Sequence, residues 1–361
     1  MPPAQAAAEP LSAVQAGVRA GPDITRMPFA DDDARGALLS FTESCAALLG
    51  REDRSGLTRA ADWRPACEAA KGWTDAAAAF FTAHFETMEV AGEGERGGFV
   101  TGYFEPQIAG VRQRRPGYDV PVYAVPRDLE RRRDYAGEGR APLGRYDAVG
   151  QFVPYFERAE IVGGALDGRA EAIGWVADPI DFFFLQIQGS GQLISPEGEV
   201  LRIGYAGQNG REYIAIGRTL RERGVFQPGE ATMQGIVDWL RANPAEADAV
   251  MNTNKSWVFF APLDGDAPLG ALGVPVRPRS SIAADPRFVP LGAPLWLDAA
   301  DDVADGLWIA QDTGGAIKGM NRFDTFWGAG PQAKRIAGQL ASPARAILLV
   351  PKGTLARLQG A

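Results

Sequence analysis

Two aspartates, Asp312 and Asp324, stand 12 residues apart in "QDTGGAIKGMNRFDTFWG", Gln311 to Gly328, with glycines and the single lysine Lys318 between them. A carboxylate pair suits cleavage of a glycosidic bond: a protonated carboxyl feeds the leaving oxygen, and usually a second carboxylate activates water or attacks the anomeric carbon. Phe323, Phe326 and Trp327 surround Asp324 in the chain. Burial against such aromatic surface would raise its pKa and keep it protonated, as an acid must be. A nucleotide phosphate loop fails on register, because Gly314 is followed five positions later by Gly319 and then Met320, with Lys318 on the wrong side. Either aspartate alone reads equally as a cap or a solvated loop residue.

Two further glycine loops, "GSG" at Gly189 to Gly191 and "GYAGQNG" from Gly204 to Gly210, are poor dinucleotide fingerprints in both spacing and context. Singly each is a turn. Jointly they bring Gln186, Gln188, Ser190, Tyr205, Gln208 and Asn209 next to aromatics, and amides with aromatic faces are what sugar hydroxyls and rings require. The only histidine, His84, lies among Phe80, Phe81 and Phe85 and reads as structural. Without another histidine a Ser/His or Cys/His arrangement has no base, so acid–base chemistry falls to carboxylates, lysine or tyrosine. The only cysteines, Cys45 and Cys67, are 22 residues apart in a helix–turn–helix pattern. A disulfide in an oxidising compartment and two buried thiols both fit; a zinc site does not.

The elements that must hold these residues change in texture along the chain. From about Asp31 to Thr87 apolar residues recur at three- and four-residue intervals, as in Leu38, Phe41, Cys45 and Leu48, which predicts packed helices. From "GGFVTGYFEPQIAG" to about Gly210 short strands are expected, with an Arg/Glu-rich solvated loop inside them. Two amphipathic helices follow, "REYIAIGRTLRERG" and "EATMQGIVDWLRANP", the second closed by Pro244. "SWVFFAPL", "GALGVPVRP", "APLWLD", "GLWIAQD" and "ARAILLVP" then read as strands. The pattern predicts an α+β chain, mainly β, with at least two sheets or barrels.

At 361 residues, 46% apolar and 23% charged, the chain has the balance of a globular protein of one or two domains. A formal net charge of −8 argues against binding nucleic acid or anionic lipid through the overall field. No apolar run approaches the about 18 residues a membrane helix needs. The Ala/Pro-rich opening "MPPAQAAAEPLSAVQAG" shows neither a basic nor an apolar leader region, so either a cytoplasmic protein or one whose signal segment has been removed is expected.

Six stretches, "GYFEP", "DPIDFFFLQIQGSG", "GYAGQNGREYIAIGRTL", "MNTNKSWVFF", "SIAADPRFVPLGAPLWLD" and "QDTGGAIKGMNRFDTFWGAG", together resemble the lytic murein transglycosylase A family. The last two resemble its C-terminal module named 3D for three aspartates. The resemblance runs from about Phe29 to Pro351 with the motifs in the family's order. It implies a double-psi β-barrel domain with N-terminal helices, residues 1–105 and 246–361, interrupted at 106–245 by a smaller β-barrel domain, the sugar strand lying in a groove between them. It also implies cleavage of the MurNAc-β-1,4-GlcNAc bond of peptidoglycan without water, leaving a 1,6-anhydro end. One carboxyl can then act twice, as acid to the leaving oxygen and as base to the substrate's own C6 hydroxyl.

By motif matching Asp324 takes the catalytic position, Asp312 a charge-positioning one, and Asp285 of "AADPRFVPLG" is the third aspartate, with Pro286 and Pro290 favouring a turn role; Lys318 is a further supporting candidate. "LQIQGSG" and "GYAGQNG", including Gly189 and Gly191, would line the groove, with Thr101, Tyr103 and Glu105 at the domain crossing. The spacing between Gly319 and Asp324, "MNRF", is one residue longer than the family pattern. No metal or organic cofactor is implied. The resemblance further implies peptidoglycan strands as partner, contact with cell-wall synthesis or division proteins, a monomer, and a periplasmic setting with an outer-membrane lipid anchor, although no lipidation cysteine stands near the start of this chain. The alternatives are a hydrolase using Asp324 and Asp312 as a pair, and a non-catalytic wall-binding module.

Overall fold

The computed structural model describes residues 12–90, 97–137, 140–227, 230–265 and 267–360. The chain forms two compact units, one of Met1–Phe104 with Leu269–Ala361 and one of Glu105–Pro268.

The first unit joins a helical layer to a closed barrel. Helix Asp31–Gly50 opens with three aspartates, whose charge complements the positive end of the helix dipole. It buries Ala34, Ala37, Phe41, Cys45 and Leu48, one stripe at helical spacing. Helices Ala60–Ala70 and Ala77–His84 add Trp63, Phe80 and Phe81, and these pack with Phe85 against Trp296, Leu307, Ile309, Ile347 and Leu349 of the strands. Phe41 alone has ring contacts with Trp63, Phe80 and Phe85 at 6.2, 5.6 and 5.4 Å. Cys45 and Cys67, left open between bridge and free thiols in the sequence, are joined by a disulfide linking two of these helices.

Six strands close on themselves in the order Gly98–Glu105, Ala341–Pro351, Pro294–Ala299, Gly306–Asp312, Ser281–Ala283 and Arg322–Ala329, the last returning to the first. Closure leaves no open edge within the ring. Ser281–Ala283 is the pivot: it pairs parallel with Gly306–Asp312 and antiparallel with Arg322–Ala329. Phe85–Val90, whose first part was expected to continue the helices, is instead a strand paired antiparallel with Ala341–Pro351, its Phe, Thr and Val fitting a pleated surface.

In the second unit Val258–Pro262, Val200–Gln208, Ser190–Ile194, Gln107–Val111, Ala172–Val176 and Val120–Tyr123 form one sheet in that order. Its core includes Val122, Tyr155, Phe182, Leu193, Ile203, Phe259 and Phe260. Where only short strands were expected, "PIDFFFLQIQ" is the helix Pro179–Gln188. Asp178 caps it by accepting from the backbone of Ile180 at 2.7 Å, Pro179 starts it, and left-handed Gly189 ends it. Helices Met233–Ala242 and Pro244–Met251 pack on it through Ile236, Val237, Leu240 and Val250. Pro244 therefore closes one helix and begins the next. The expected return to the first unit at residue 246 moves to Leu269, because Val258–Pro262 completes the second unit's sheet beside Val200–Gln208. The expected strand in "GALGVPVRP" is reduced to an isolated bridge between Leu269 and Pro275.

Candidate active site

The two aspartates are brought together by a third strand. Ala283 is the register partner of Asp324 on one side and of Asp312 on the other, so a separation of 12 residues in the chain becomes that of next-nearest strands. Both carboxylates are half-buried. The Thr101 hydroxyl donates to Oδ1 of Asp324 at 2.7 Å. Burial pushes the Asp324 carboxyl up to about 6; the Thr101 hydrogen bond and the Arg322 charge oppose that rise, and the neighbouring Asp312 charge adds to it. Asp324 is therefore a carboxyl that holds its proton in mildly acidic water.

Asp312 has different surroundings. It accepts from the Tyr103 hydroxyl at 3.1 Å and from the backbone N–H groups of Ala271 and Thr313 at 2.9 and 2.8 Å. Burial raises its pKa above the ordinary carboxylate value, and these three donors offset only part of the rise. The Tyr103 phenol is pushed well above its usual value by burial and by the two carboxylates, which keeps it a donor at any working pH. A carboxylate that already accepts three hydrogen bonds is poorly placed to attack carbon, and well placed to fix charge beside its neighbour.

The third aspartate, Asp285, is buried at 2% exposure and belongs to the loop geometry. Arg287 clamps it through its side chain, with Nη2 at 2.6 Å, and the backbone N–H of Gly319 donates to its Oδ2 at 2.9 Å. Burial alone would raise its pKa, but the Arg287 and backbone hydrogen bonds outweigh it and hold the carboxyl below its ordinary value. Asp285 thus pins the glycine loop that precedes Asp324. Lys318, on that loop, is exposed.

Thr101 and Tyr103 owe their position to Gly102. A Cβ there would lie 2.8 Å from Ala337 Cα and 2.9 Å from the Trp327 ring, so only glycine permits this approach of strand to helix and indole. Thr325 locks the same region, donating to the Thr101 carbonyl at 3.0 Å and accepting from the Trp327 indole at 2.9 Å.

Several residues expected to face sugar are braces in the second unit. Gln186 is 3% exposed, accepting from Arg158 at 2.6 Å and donating to the Val258 carbonyl at 3.2 Å. Asn209 is fully buried, donating to the carbonyls of Phe156 and Lys255 and accepting from the backbone of Trp257. Gly191 is a packing glycine: a Cβ would lie 2.4 Å from Leu185. Glu105 is buried beside Arg202 at 3.1 Å and accepts from Gln192 at 2.7 Å. Burial raises its pKa against both partners. Gln188, Gly189, Ser190 and Gln208 are half-buried, Gln208 accepting from the Gly210 backbone at 3.0 Å, and Tyr205 is 59% exposed. Of the expected sugar-facing set, Tyr205 offers the most open surface.

Sequence reading missed Arg322, two positions before Asp324 and hence on the same strand face, a signal that period-two alternation could have supplied. It also missed Arg158, buried with Phe183 and Trp257 rings at 4.6 and 5.0 Å and with its pKa pulled down to about 9 by burial. No local pattern announces a buried arginine whose backbone partners, the Asn254 and Ser256 carbonyls, lie 96 and 98 residues away. Among the described residues no group of three or more His, Cys, Asp or Glu is placed to hold a metal.

Comparison with known proteins meets this geometry from outside. Residues 99–261 match the family model "MltA specific insert domain" and residues 280–350 the model "3D domain". A relative from Vibrio cholerae, "Membrane-bound lytic murein transglycosylase A", is 33% identical over 260 residues, which is 68% of this chain and 64% of that protein, just under two thirds of its length. The fold resembles the crystal structure of MltA from Neisseria gonorrhoeae, monoclinic form, with a TM-score of 0.77, 36% identity and 89% of each chain covered. It also resembles Escherichia coli MltA crystallised with bound chitohexaose, with a TM-score of 0.67, 26% identity, 93% of this chain and 94% of that one. With both family models found in order, and a structural relative above 30% identity matched over most of its length, the chain belongs to the lytic murein transglycosylase A family.

Proposed function

We propose that the protein is a peptidoglycan lytic transglycosylase that cleaves the MurNAc-β-1,4-GlcNAc bond without water. The observation that carries this reading is the asymmetry of the carboxylates: Asp324 holds a proton up to about pH 6, while Asp312 is occupied by three donors. One proton-holding acid and one carboxyl group already engaged by three donors suit a reaction in which the substrate supplies its own nucleophile.

Protonated Asp324 gives its proton to the glycosidic oxygen as the C1–O bond of MurNAc breaks, and GlcNAc leaves with its 4-hydroxyl restored. Positive charge develops on C1 and the ring oxygen, where the Asp312 carboxylate stabilises it electrostatically. Asp324, now a carboxylate, takes the proton of the C6 hydroxyl as O6 bonds to C1. The 1,6-anhydro ring closes, the enzyme regains its starting proton, and no water is consumed. Chitohexaose, bound to the Escherichia coli relative, is a β-1,4-linked amino-sugar chain of the required class. The same reading assigns glycan strands as the binding partner and a periplasmic setting with a lipid anchor, in keeping with the membrane-bound name of the Vibrio cholerae relative.

The test is mass spectrometry of soluble products from purified murein sacculi, beside the Asp324→Asn variant. Muropeptides one water lighter than their hydrated counterparts, absent with the variant, are the expected result. Hydrated reducing ends would make the enzyme a hydrolase and return Asp312 to covalent or water-activating chemistry. Tight murein binding without released fragments would leave a wall-binding module.

A further inference from the structure

Strands Gly98–Glu105 and Arg322–Ala329 are neighbours in the barrel, and on each the chemically active side chains alternate: Phe99, Thr101 and Tyr103 on one, Arg322 and Asp324 on the other. Arg322 has no part in the reaction proposed for Asp324, yet its charge acts on that acid and its guanidinium is held at several points. Its Nη1 donates to the carbonyls of Phe323 at 2.7 Å and Phe99 at 3.3 Å, and its Nη2 donates to Thr101 Oγ1 at 2.9 Å. The guanidinium carbon lies 5.4 Å from the centre of the Phe99 ring. All these acceptors are neutral, so among the described residues the charge is oriented by the fold without a direct hydrogen bond to a carboxylate.

The consequence follows from what a threonine hydroxyl can do. It has one proton to give and two lone pairs to receive. Guanidinium only donates, so one lone pair of Thr101 is taken by Arg322, and the hydroxyl, polarised by that charge, directs its single proton to Asp324 Oδ1. An oxygen already accepting that proton is a poor place for a second one.

We propose that Arg322, held by Phe99 and the Phe323 carbonyl, is a positioning residue that acts through Thr101: it commits the hydroxyl to Oδ1 of Asp324, so that the transferable proton rides on Oδ2 and cleavage uses that oxygen. The inference rests on Asp324 being the acid. The other titratable groups that face this carboxyl are Tyr103, from the adjacent strand Gly98–Glu105, and Asp312, from the next-nearest strand Gly306–Asp312, and neither lies on the Arg322–Thr101 path.

The experiment compares pH profiles of murein turnover for wild type, Arg322→Met, Arg322→Lys, Thr101→Val, Thr101→Ser and the Arg322→Met/Thr101→Val double variant. Arg322 and Thr101 both favour the carboxylate form of Asp324, so losing either raises its pKa, and the alkaline limb must move to higher pH. Arg322→Met should lower kcat roughly tenfold with KM within about twofold, and Thr101→Val roughly tenfold or more. Thr101→Ser, which keeps the hydroxyl, should restore the wild-type limb. Because Arg322 acts through Thr101, its removal from the Thr101→Val protein should cost less than about threefold.

Full additivity of the two losses, or an alkaline limb unmoved in Arg322→Met, would overturn the inference. Should Arg322→Met fail to fold, as a lowered melting temperature would reveal, Arg322→Lys and the Thr101 Val/Ser contrast decide it: an unshifted limb in Thr101→Val refutes the relay. Retained turnover in Asp324→Asn would instead remove the acid assignment itself, leaving a result distinct from failure of the Arg322 role.

Discussion

Asp324 couples catalysis to stability through one proton. In an unfolded chain an aspartate ionises near 3.8, whereas burial in this barrel lifts Asp324 to about 6. A raised carboxyl pKa means that the folded state binds the proton more tightly than the unfolded one. Between pH 3.8 and about 6 stability therefore falls as pH rises, and above that window the folded protein carries a constant penalty. For a half-buried group the penalty is discounted to about 1–3 kcal/mol. Asp324→Asn, which is never charged, should accordingly melt at a higher temperature than wild type at pH 8 and at nearly the same temperature at pH 4. Equal melting temperatures at both values would show that Asp324 is not desolvated in solution. Turnover should show the same proton from the other side, declining as pH rises through about 6.

At the scale of elements the helical layer packs on the barrel strand that carries Asp312, whose Leu307 and Ile309 lie in the shared core. The Cys45–Cys67 bridge closes a segment of 22 residues between two helices whose aromatic residues lie against Trp296 and Ile309. Constraining a loop of that length in the unfolded state is worth about 3 kcal/mol. Thermal melts with and without reductant, repeated on a Cys45→Ala/Cys67→Ala variant, should show loss of that order. Hydrogen exchange should locate the loosening in helices Asp31–Gly50 and Ala60–Ala70, with Glu105–Pro268 unaffected. Loosening spread evenly over both units would mean that they do not behave as separate cooperative bodies.

The whole molecule carries a net charge of −8. Its proposed substrate is a polymer whose peptide stems bear carboxylates, so long-range repulsion opposes encounter. Screening shortens the reach of that repulsion, the Debye length falling from about 30 Å at 0.01 M to about 8 Å at 0.15 M salt. Turnover on intact sacculi at low substrate should therefore rise as ionic strength increases over this range, through kcat/KM and with kcat little changed. A fall with salt would show instead that a local basic surface, not the overall field, governs capture.

Local order and composition were decided by the sequence alone. The helical spacing of Phe41, Cys45 and Leu48, the strands "APLWLD" and "GLWIAQD", the lone structural histidine and the aromatic setting of Asp324 are all written within short windows, where side-chain periodicity and near neighbours act. The motif series carried the family. What tertiary structure decided are relations between distant segments: that Ala283 stands between Asp312 and Asp324, that Thr101 and Arg322 reach the acid together, and that Asp285 holds Gly319. It also turned Gln186 and Asn209 inward, because a buried Arg158 and a set of buried carbonyls needed partners more than an amide needed solvent. The same demand moved the unit boundary to Leu269, since the sheet beside Val200–Gln208 required Val258–Pro262 to satisfy its backbone. Such choices are made by strand register and by the hydrogen-bond needs of buried groups, which no single window of the chain contains.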